Sequence, residues 1–292
     1  MFLFFKKIIR RNLHKIRFHW RYRFFLNKKS LFASNGIFER NVDSQLDIVT
    51  ISFNNAKMIE YQILLIKKYL KDSHTHIIAD NSSNQFFRQE IQNICSKHNI
   101  FYVSIPEIHL KPSWSHAAAL HWVFINIIKK RKSPVFGFID HDIFPVKETF
   151  ILKKLWNGIY GRVIPPYGTI EISDDQPYWS LWGGFFFFKT SIFHNISKYS
   201  FNFFPKVISQ NLILDTCGGL WDSVFSKLPR PNQLVSYEEV KIDPDNYENI
   251  QKDAYEIIDE WIHFVNLSNW YKSDNLIKKT DFFNKYINKL LQ

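Results

Sequence analysis

Residues 136–145 read Phe136-Gly-Phe-Ile-Asp-His-Asp-Ile-Phe-Pro145, an apolar run that meets two carboxylates and an imidazole before turning apolar again. Residues 135–139 have strand character, so Asp140 and Asp142 fall where a buried strand would end. Burying a carboxylate without a partner is costly, and the pair therefore needs water, a cation or a base. In an extended stretch, residues two apart point the same way. Asp140 and Asp142 can thus approach one ion while His141 points elsewhere. Oxygen ligands of this kind suit a hard divalent ion such as Mg²⁺ or Mn²⁺. The competing reading is a solvated turn with Asp142 as a cap.

On the N-terminal side, the hydrophobic period alternates between two values. Residues 47–53 read as a buried strand, and residues 57–71, with Met58, Tyr61, Leu65 and Tyr69 on one stripe, read as a helix. A short strand over 76–79 ends at Asp80, followed by a helix over 86–98, a strand over 100–104, a helix over 115–130 and the strand over 135–139. This alternation predicts an α/β fold with a mostly parallel central sheet flanked by helices. Ligands of such sheets bind beyond the carboxyl ends of the strands. Asn54, Asp80 and Asp140 all lie at strand ends and can share one crevice.

Beyond Pro145 the pattern is less regular. Residues 167–182 are rich in turn formers and acids, and Gly183-Gly-Phe-Phe-Phe-Phe-Lys189 reads as a strand opened by a glycine pair. Residues 248–261 and 276–291 are predicted helices. With no internal repeat or low-complexity linker, the expected division is a basic helix over 1–35, one domain over 40–270 and a C-terminal helix over 271–292.

The 292 residues, 46% hydrophobic, are enough for a full core. The net charge of +11 is concentrated: residues 1–30 hold ten basic side chains and no acid, leaving 28 basic against 27 acidic groups elsewhere. A near-neutral body argues against a nucleic-acid partner. Cys95 and Cys217, far apart, have no metal-site or disulfide-framework spacing and fit a reducing compartment.

Within the basic segment, Phe2, Phe5, Ile9, Leu13, Ile16 and Trp20 recur at spacings of 3 and 4, one stripe of a helix. Five apolar residues precede the first lysines, the reverse of a secretory signal, and no run of about 18 apolar residues could span a bilayer. The expectation is a helix lying on an anionic membrane surface through residues 1–30. A helix packed on the domain with a solvated basic face is the alternative.

The order of Ile48-Val-Thr-Ile-Ser-Phe-Asn54, His76-Ile-Ile-Ala-Asp-Asn-Ser-Ser83, Ser113-Trp-Ser-His-Ala-Ala-Ala-Leu120 and Phe138-Ile-Asp-His-Asp142 resembles a GT-A glycosyltransferase of the family 2 type, over about residues 46–190. The resemblance implies a nucleotide-sugar donor, Mn²⁺ or Mg²⁺ held by Asp140 and Asp142, and inversion at the anomeric carbon. It further implies a glycan or lipid-linked acceptor in bacterial surface-polysaccharide synthesis, with the protein peripheral on the cytoplasmic face of the membrane. Carried over by position, Phe53 and Asn54 fall near the base or ribose, Asp80 matches the acid that contacts the nucleobase, and Ser115 and His116 match the edge of the donor site at the start of a helix. Trp182-Gly-Gly-Phe185 resembles the acceptor-side loop and strand. His263 resembles a late histidine that completes the metal site, and Asp215 is the nearest match to the catalytic base, although the family's Glu-Asp pair is absent. Each has a plainer alternative: an Asx-turn for Asp80, a helix-entry residue for His116, a core histidine for His263 and an N-cap for Asp215, with Asp174, Asp175 and Asp222 competing as base. Rival functions are a metal-dependent nucleotidyltransferase or phosphoesterase, and an inactive membrane-surface scaffold.

Overall fold

The structure, a computed structural model, describes residues 17–39, 43–167, 177–194, 202–209, 212–229, 237–240, 255–265 and 276–292. Residues 17–27 form helix α1, and the chain then adds a two-residue edge strand, β1 (Phe32–Ala33). β2 (Leu46–Ser52) is buried at every position, as a strand covered on both faces requires. α2 (Ala56–Tyr69) follows Asn55, whose side chain accepts a hydrogen bond from the Met58 amide at 3.3 Å and so caps the helix. β3 (His74–Asp80) leads to α3 (Gln85–His98), capped by Asn84 and closed by Asn99 in the left-handed region at φ 54°.

After β4 (Phe101–Ser104) comes α4 (Pro112–Val123), which passes through a π-helical turn, Phe124–Ile128, into α5 (Lys129–Arg131). The helix therefore starts three residues earlier than its sequence pattern indicated, and Ser115 and His116 sit on its first turns rather than at its entry. β5 (Val135–Asp140), β6 (Ile143–Pro145), α6 (Ile151–Lys154), β7 (Ile159–Ile164) and β8 (Ser180–Lys189) complete the main body. The glycine pair lies inside β8 and does not open it. The strands β9 (Lys206–Ser209), β10 (Leu212–Leu214), β11 (Tyr237–Val240), β12 (Tyr255–Ile258) and β13 (Trp261–His263) precede α7 (Leu276–Leu291).

The main sheet has the order β1-β4-β3-β2-β5-β8-β7. β4, β3, β2 and β5 are parallel, while β1 joins β4, β8 joins β5 and β7 joins β8, each by antiparallel pairing. From β2 the chain builds outward to β4, then crosses back to lay β5 on the other side of β2. The carboxyl ends of β2 and β5 thus flank a topological switch point, where such sheets form ligand crevices. Near its other end β2 is tied by a buried ion pair to α5, the helix that leads into β5. Arg131 binds Asp47 through Nε (2.8 Å) and Nη2 (3.0 Å), donates Nη1 to the Ile37 and Glu39 carbonyls, and shares Asp47 with the Ser133 hydroxyl.

The helix expected over 248–261 is not found at its described end. Residues 255–263 instead form the β12–β13 hairpin, with Asp259 in the left-handed region at φ 51°, on a four-stranded sheet of order β11-β12-β13-β6. A short apolar run satisfies both periods, and here β6 offers an edge to which the Trp261–His263 backbone can bond. α7 packs its Phe283 and Ile287 against Phe144, Ile262 and Phe264. Cys95 and Cys217 are free and buried.

His76, 5% exposed, supports the central sheet and carries a pH signature. Burial lowers its pKa from the ordinary 6.5 to about 3, with the neighbouring His74 and Lys67 charges acting the same way. The folded state keeps it neutral, whereas the unfolded chain takes up a proton below pH 6.5. Its contribution is therefore complete above that pH and is lost on acidification at up to about 1.4 kcal/mol per pH unit. His76→Gln retains a donor for Thr50 but removes the proton. In urea unfolding its stability should fall less steeply than wild type's between about pH 6.5 and about pH 4.5, by on the order of 2 kcal/mol over that span. Parallel slopes would show that His76 does not set this dependence.

Candidate active site

The turn from Asp140 to Ile143 is held from outside by one side chain. Gln62, on α2 and fully buried, donates its amide to the Asp140 carbonyl (2.8 Å) and the Ile143 carbonyl (2.7 Å). Its Oε1 accepts the Thr50 hydroxyl proton at 2.6 Å. With that proton committed, the 2.9 Å contact between Thr50 Oγ1 and His76 Nε2 has the imidazole as donor, fixing His76 as the Nε2–H tautomer. Sequence reading missed Gln62. The available signal was a lone amide flanked by Ile59, Ile63 and Ile66 on the helix.

Both carboxylates lie at the switch point, Asp140 as the last residue of β5 and Asp142 in the turn that follows. Asp142 is 7% exposed and its Oδ1 has no hydrogen-bond partner, while the Asp140 side chain remains 25% exposed. His116 Nε2 approaches Asp140 Oδ1 to 3.0 Å, and His263 Nε2 lies 3.7 Å from Asp142 Oδ1. Burial disfavours the charged form of every one of these groups; the neighbouring charges together overcome it at His116, Asp140 and His263 but not at Asp142. The Asp140 carboxylate outweighs burial and raises His116, with smaller contributions from Asp215 and Asp142. His116, with His141 and His263 behind it, lowers Asp140 despite burial. Asp142 is raised because burial outweighs His263 and His141, and because Asp140 repels a second negative charge. His263 is raised against burial by Asp142 and Glu256.

The position of His263 follows from sheet register. It pairs with Ile143 on β6 and with Glu256 on β12, which sets the imidazole beside Asp142 and Glu256 directly across the hairpin. Nδ1 and Glu256 Oε1 are 2.6 Å apart, and the same Oε1 is bonded by Arg162 Nη1. Phe264 N donates to the Asp142 carbonyl at 3.0 Å, closing the turn from this side. Glu256 had no sequence signal, because its partners are strand neighbours and not sequence neighbours. Trp182 lies tilted against the imidazole at 4.6 Å between centroids, and Arg162 lies 5.2 Å from the centre of the Trp182 ring.

The β8 glycine pair makes room for two approaches. A Cβ at Gly184 would lie 2.5 Å from Asp140 Oδ2 and 2.6 Å from the Trp182 ring, and one at Gly183 would lie 2.5 Å from Thr216. Thr216 follows Asp215, whose Oδ2 accepts from the Tyr167 hydroxyl at 3.3 Å. The Gly218 amide bonds the main-chain carbonyl of Asp215. Asp222 pairs with Lys206 at the surface, and Asp174 and Asp175 lie outside the described residues.

Of the other sequence candidates, Asp80 is committed internally. It accepts from Ser52 Oγ (3.0 Å), the Ser82 amide (2.9 Å) and the Tyr102 hydroxyl (2.9 Å) and has no exposed surface. The Ser82 bond is the Asx-turn of the plainer reading. Asn54, in the left-handed region at φ 47°, receives the Ser83 and Asn84 amides on Oδ1 and donates its own amide to Ser82 Oγ (2.8 Å). Ser115 Oγ accepts from Asn81 Nδ2 at 3.4 Å, linking the first turns of α4 to the loop after β3.

Among the described residues no group of three or more His, Cys, Asp or Glu forms a metal cage by itself. The donor set nevertheless fits a hard cation bound partly by substrate. Asp142 brings a buried oxygen without a hydrogen bond, Asp140 a second carboxylate, and His263 an Nε2 whose opposite nitrogen is oriented by Glu256, the usual support of a metal-ligating imidazole.

No protein-family model matches the chain, and no curated protein matches it. Among solved structures it is similar to the mannosyltransferase PcManGT from Pyrobaculum calidifontis in complex with GDP-Man and Mn²⁺, at 14% identity and a TM-score of 0.37, over 62% of this chain and 54% of that one. It is also similar to S. aureus TarS, at 20% identity and a TM-score of 0.27, over 37% of this chain and 18% of that one. The match thus spans about half the length of the first structure and less than a fifth of the second.

The Gln62 bridge has a direct test. Gln62→Leu leaves two carbonyls without their donor and Thr50 without its acceptor, so it should cost about 2–4 kcal/mol in urea unfolding. A loss under about 1 kcal/mol would mean that water replaces the amide.

Proposed function

We propose that the chain is an inverting glycosyltransferase that moves a sugar from a nucleotide-sugar donor to a glycan or lipid-linked acceptor, with Asp140, Asp142 and His263 holding Mn²⁺ or Mg²⁺. The observation that carries this reading is the convergence of Asp140, Asp142, His116 and His263 at the sheet's switch point, with one carboxylate oxygen buried and unbonded. A bound divalent ion would stabilise the negative charge of a departing nucleoside diphosphate. His116, on the first turns of α4, lies near a helix end that itself favours anions. Ser115 shares that edge. Asn54 and the turn pinned by Asp80 flank the base and ribose, with Asp80 acting as a positioning residue through Ser82. Asp215, held by Tyr167, takes the proton of the acceptor hydroxyl.

No helix among the described residues is long and apolar enough to cross a membrane. The basic segment 1–30 fits a peripheral site on an anionic membrane surface, the cytoplasmic face in a bacterium making surface polysaccharide.

Calorimetric titration with Mn²⁺ and a panel of nucleoside diphosphates tests the binding half of the proposal. Asp140→Asn and Asp142→Asn should abolish metal-dependent nucleotide binding without unfolding the protein. His263→Ala and Glu256→Gln should weaken Mn²⁺ by about 10–100-fold. Constants equal to wild type in all four variants would remove the metal site. Product analysis tests the reaction: glycosyl transfer releases an intact nucleoside diphosphate, whereas nucleotidyl transfer or phosphoester hydrolysis does not.

The base assignment separates binding from turnover. Asp215→Asn should bind donor as wild type does yet transfer ~10²–10⁴-fold more slowly. Wild-type turnover with a lowered melting temperature would make Asp215 a structural residue.

A further inference from the structure

Helix α1 presents two apolar faces. One is docked: Tyr22 and Phe25 are buried in the main core, with Phe18 and Leu26 packed against it. Its contacts advance in step with the neighbouring helix. Phe18 meets Trp114 at 5.7 Å between centroids, Tyr22 bonds His121, and the Leu26 carbonyl accepts from Asn126 Nδ2 at 3.0 Å. The two helices therefore run in the same direction, and Phe18 of α1 lies beside the first turn of α4, where His116 sits two residues beyond Trp114.

The second face points outward. Trp20 is 71% exposed and Phe24 67%, one turn apart. At about 100° per residue they lie opposite the Tyr22 and Phe25 side. Exposed Arg17, Arg21, Lys28 and Lys29 surround them, and Lys28 Nζ sits 5.4 Å from the centre of the Phe24 ring. In the sequence, Ile16 and the stripe before it lead into Trp20 and on to Phe24 at the same spacing.

We infer that this outward face of α1 is a lipid-binding surface, on which Trp20 and Phe24 enter the boundary between headgroups and acyl chains of an anionic bilayer. The inference rests on the membrane setting proposed above and adds to it an apolar insertion and an orientation. Tryptophan and phenylalanine framed by arginine and lysine suit an interface that is apolar below and negative above. A second copy of the chain is the poorer occupant, because it would oppose like charges. Since the Phe18 end of the described part of α1 lies beside the first turn of α4, the same contact sets the His116 end of the site toward the bilayer.

The test uses the full chain in flotation with vesicles of phosphatidylglycerol and phosphatidylethanolamine, and with neutral phosphatidylcholine vesicles, at low and high salt. Trp20→Ser/Phe24→Ser, both exposed positions, should weaken partitioning onto anionic vesicles about tenfold or more at either salt. Arg17→Gln/Arg21→Gln/Lys28→Gln/Lys29→Gln should weaken it chiefly at low salt. Both variants should bind nucleoside diphosphate as wild type does, which keeps this outcome separate from the catalytic reading. Equal partitioning of the aromatic variant would overturn insertion, and absence of wild-type binding to either vesicle would overturn the membrane partner itself. A wild-type dimer in light scattering that becomes monomeric in the aromatic variant would assign the face to a second copy and overturn the proposal.

Discussion

The candidate site depends on a single buried amide. Gln62 spans the base of the Asp140–Ile143 turn and bonds the carbonyls on both sides of it, so the loop that carries the carboxylates is anchored to the first helix of the fold. The bridge is extended by Thr50 and His76, one strand further into the sheet. Each proton in this line has one consistent assignment, except that His76 Nδ1 ends it without a partner. A polar chain of this kind is expensive to bury when broken and specific when complete. It converts a flexible two-residue step between β5 and β6 into a fixed geometry.

That geometry brings charges together that burial alone would neutralise. Asp140 stays ionised because His116 faces it, and Asp142, with weaker support, is shifted toward its protonated form. The asymmetry marks a site where stability has been given up locally, since a core built only for folding would not leave a carboxylate oxygen unbonded. Glu256 from the second sheet and Arg162 from β7 of the main sheet counterbalance it. Arg162 bonds Glu256, which holds His263 by its Nδ1 and leaves Nε2 toward Asp142.

The two sheets meet at this cluster, and glycine permits the meeting. Gly184 gives Asp140 and Trp182 the space of a missing Cβ, while Gly183 does the same for Thr216 in the loop that carries Asp215. The Asp215–Thr216 loop and the Asp140 carboxylate both close on β8 because it has no side chains at two consecutive positions. Either approach would be blocked by alanine.

The sequence alone determined the four parallel strands, the helices between them and the placement of Asn54, Asp80 and Asp140 at strand ends, because these follow from local hydrophobic period and capping residues. It also identified Asp140 and Asp142 as a pair that burial makes anomalous, and it marked the apolar stripe that reaches Trp20. Tertiary structure decided the remainder. Whether residues 255–263 formed a helix or a hairpin depended on the free edge of β6, which no local pattern encodes, and only the hairpin register places His263 and Glu256 beside Asp142. Asp80 was visible as an acid at a strand end, but its three internal hydrogen bonds come from β2, β4 and its own turn. Gln62 belongs to the same class: a helix-face amide becomes meaningful only when the carbonyls of a turn far along the chain, 78 and 81 residues away, arrive within 3 Å. Period and composition are local properties, whereas hydrogen-bond partnership is fixed by which backbone edges and side chains the completed sheet brings together.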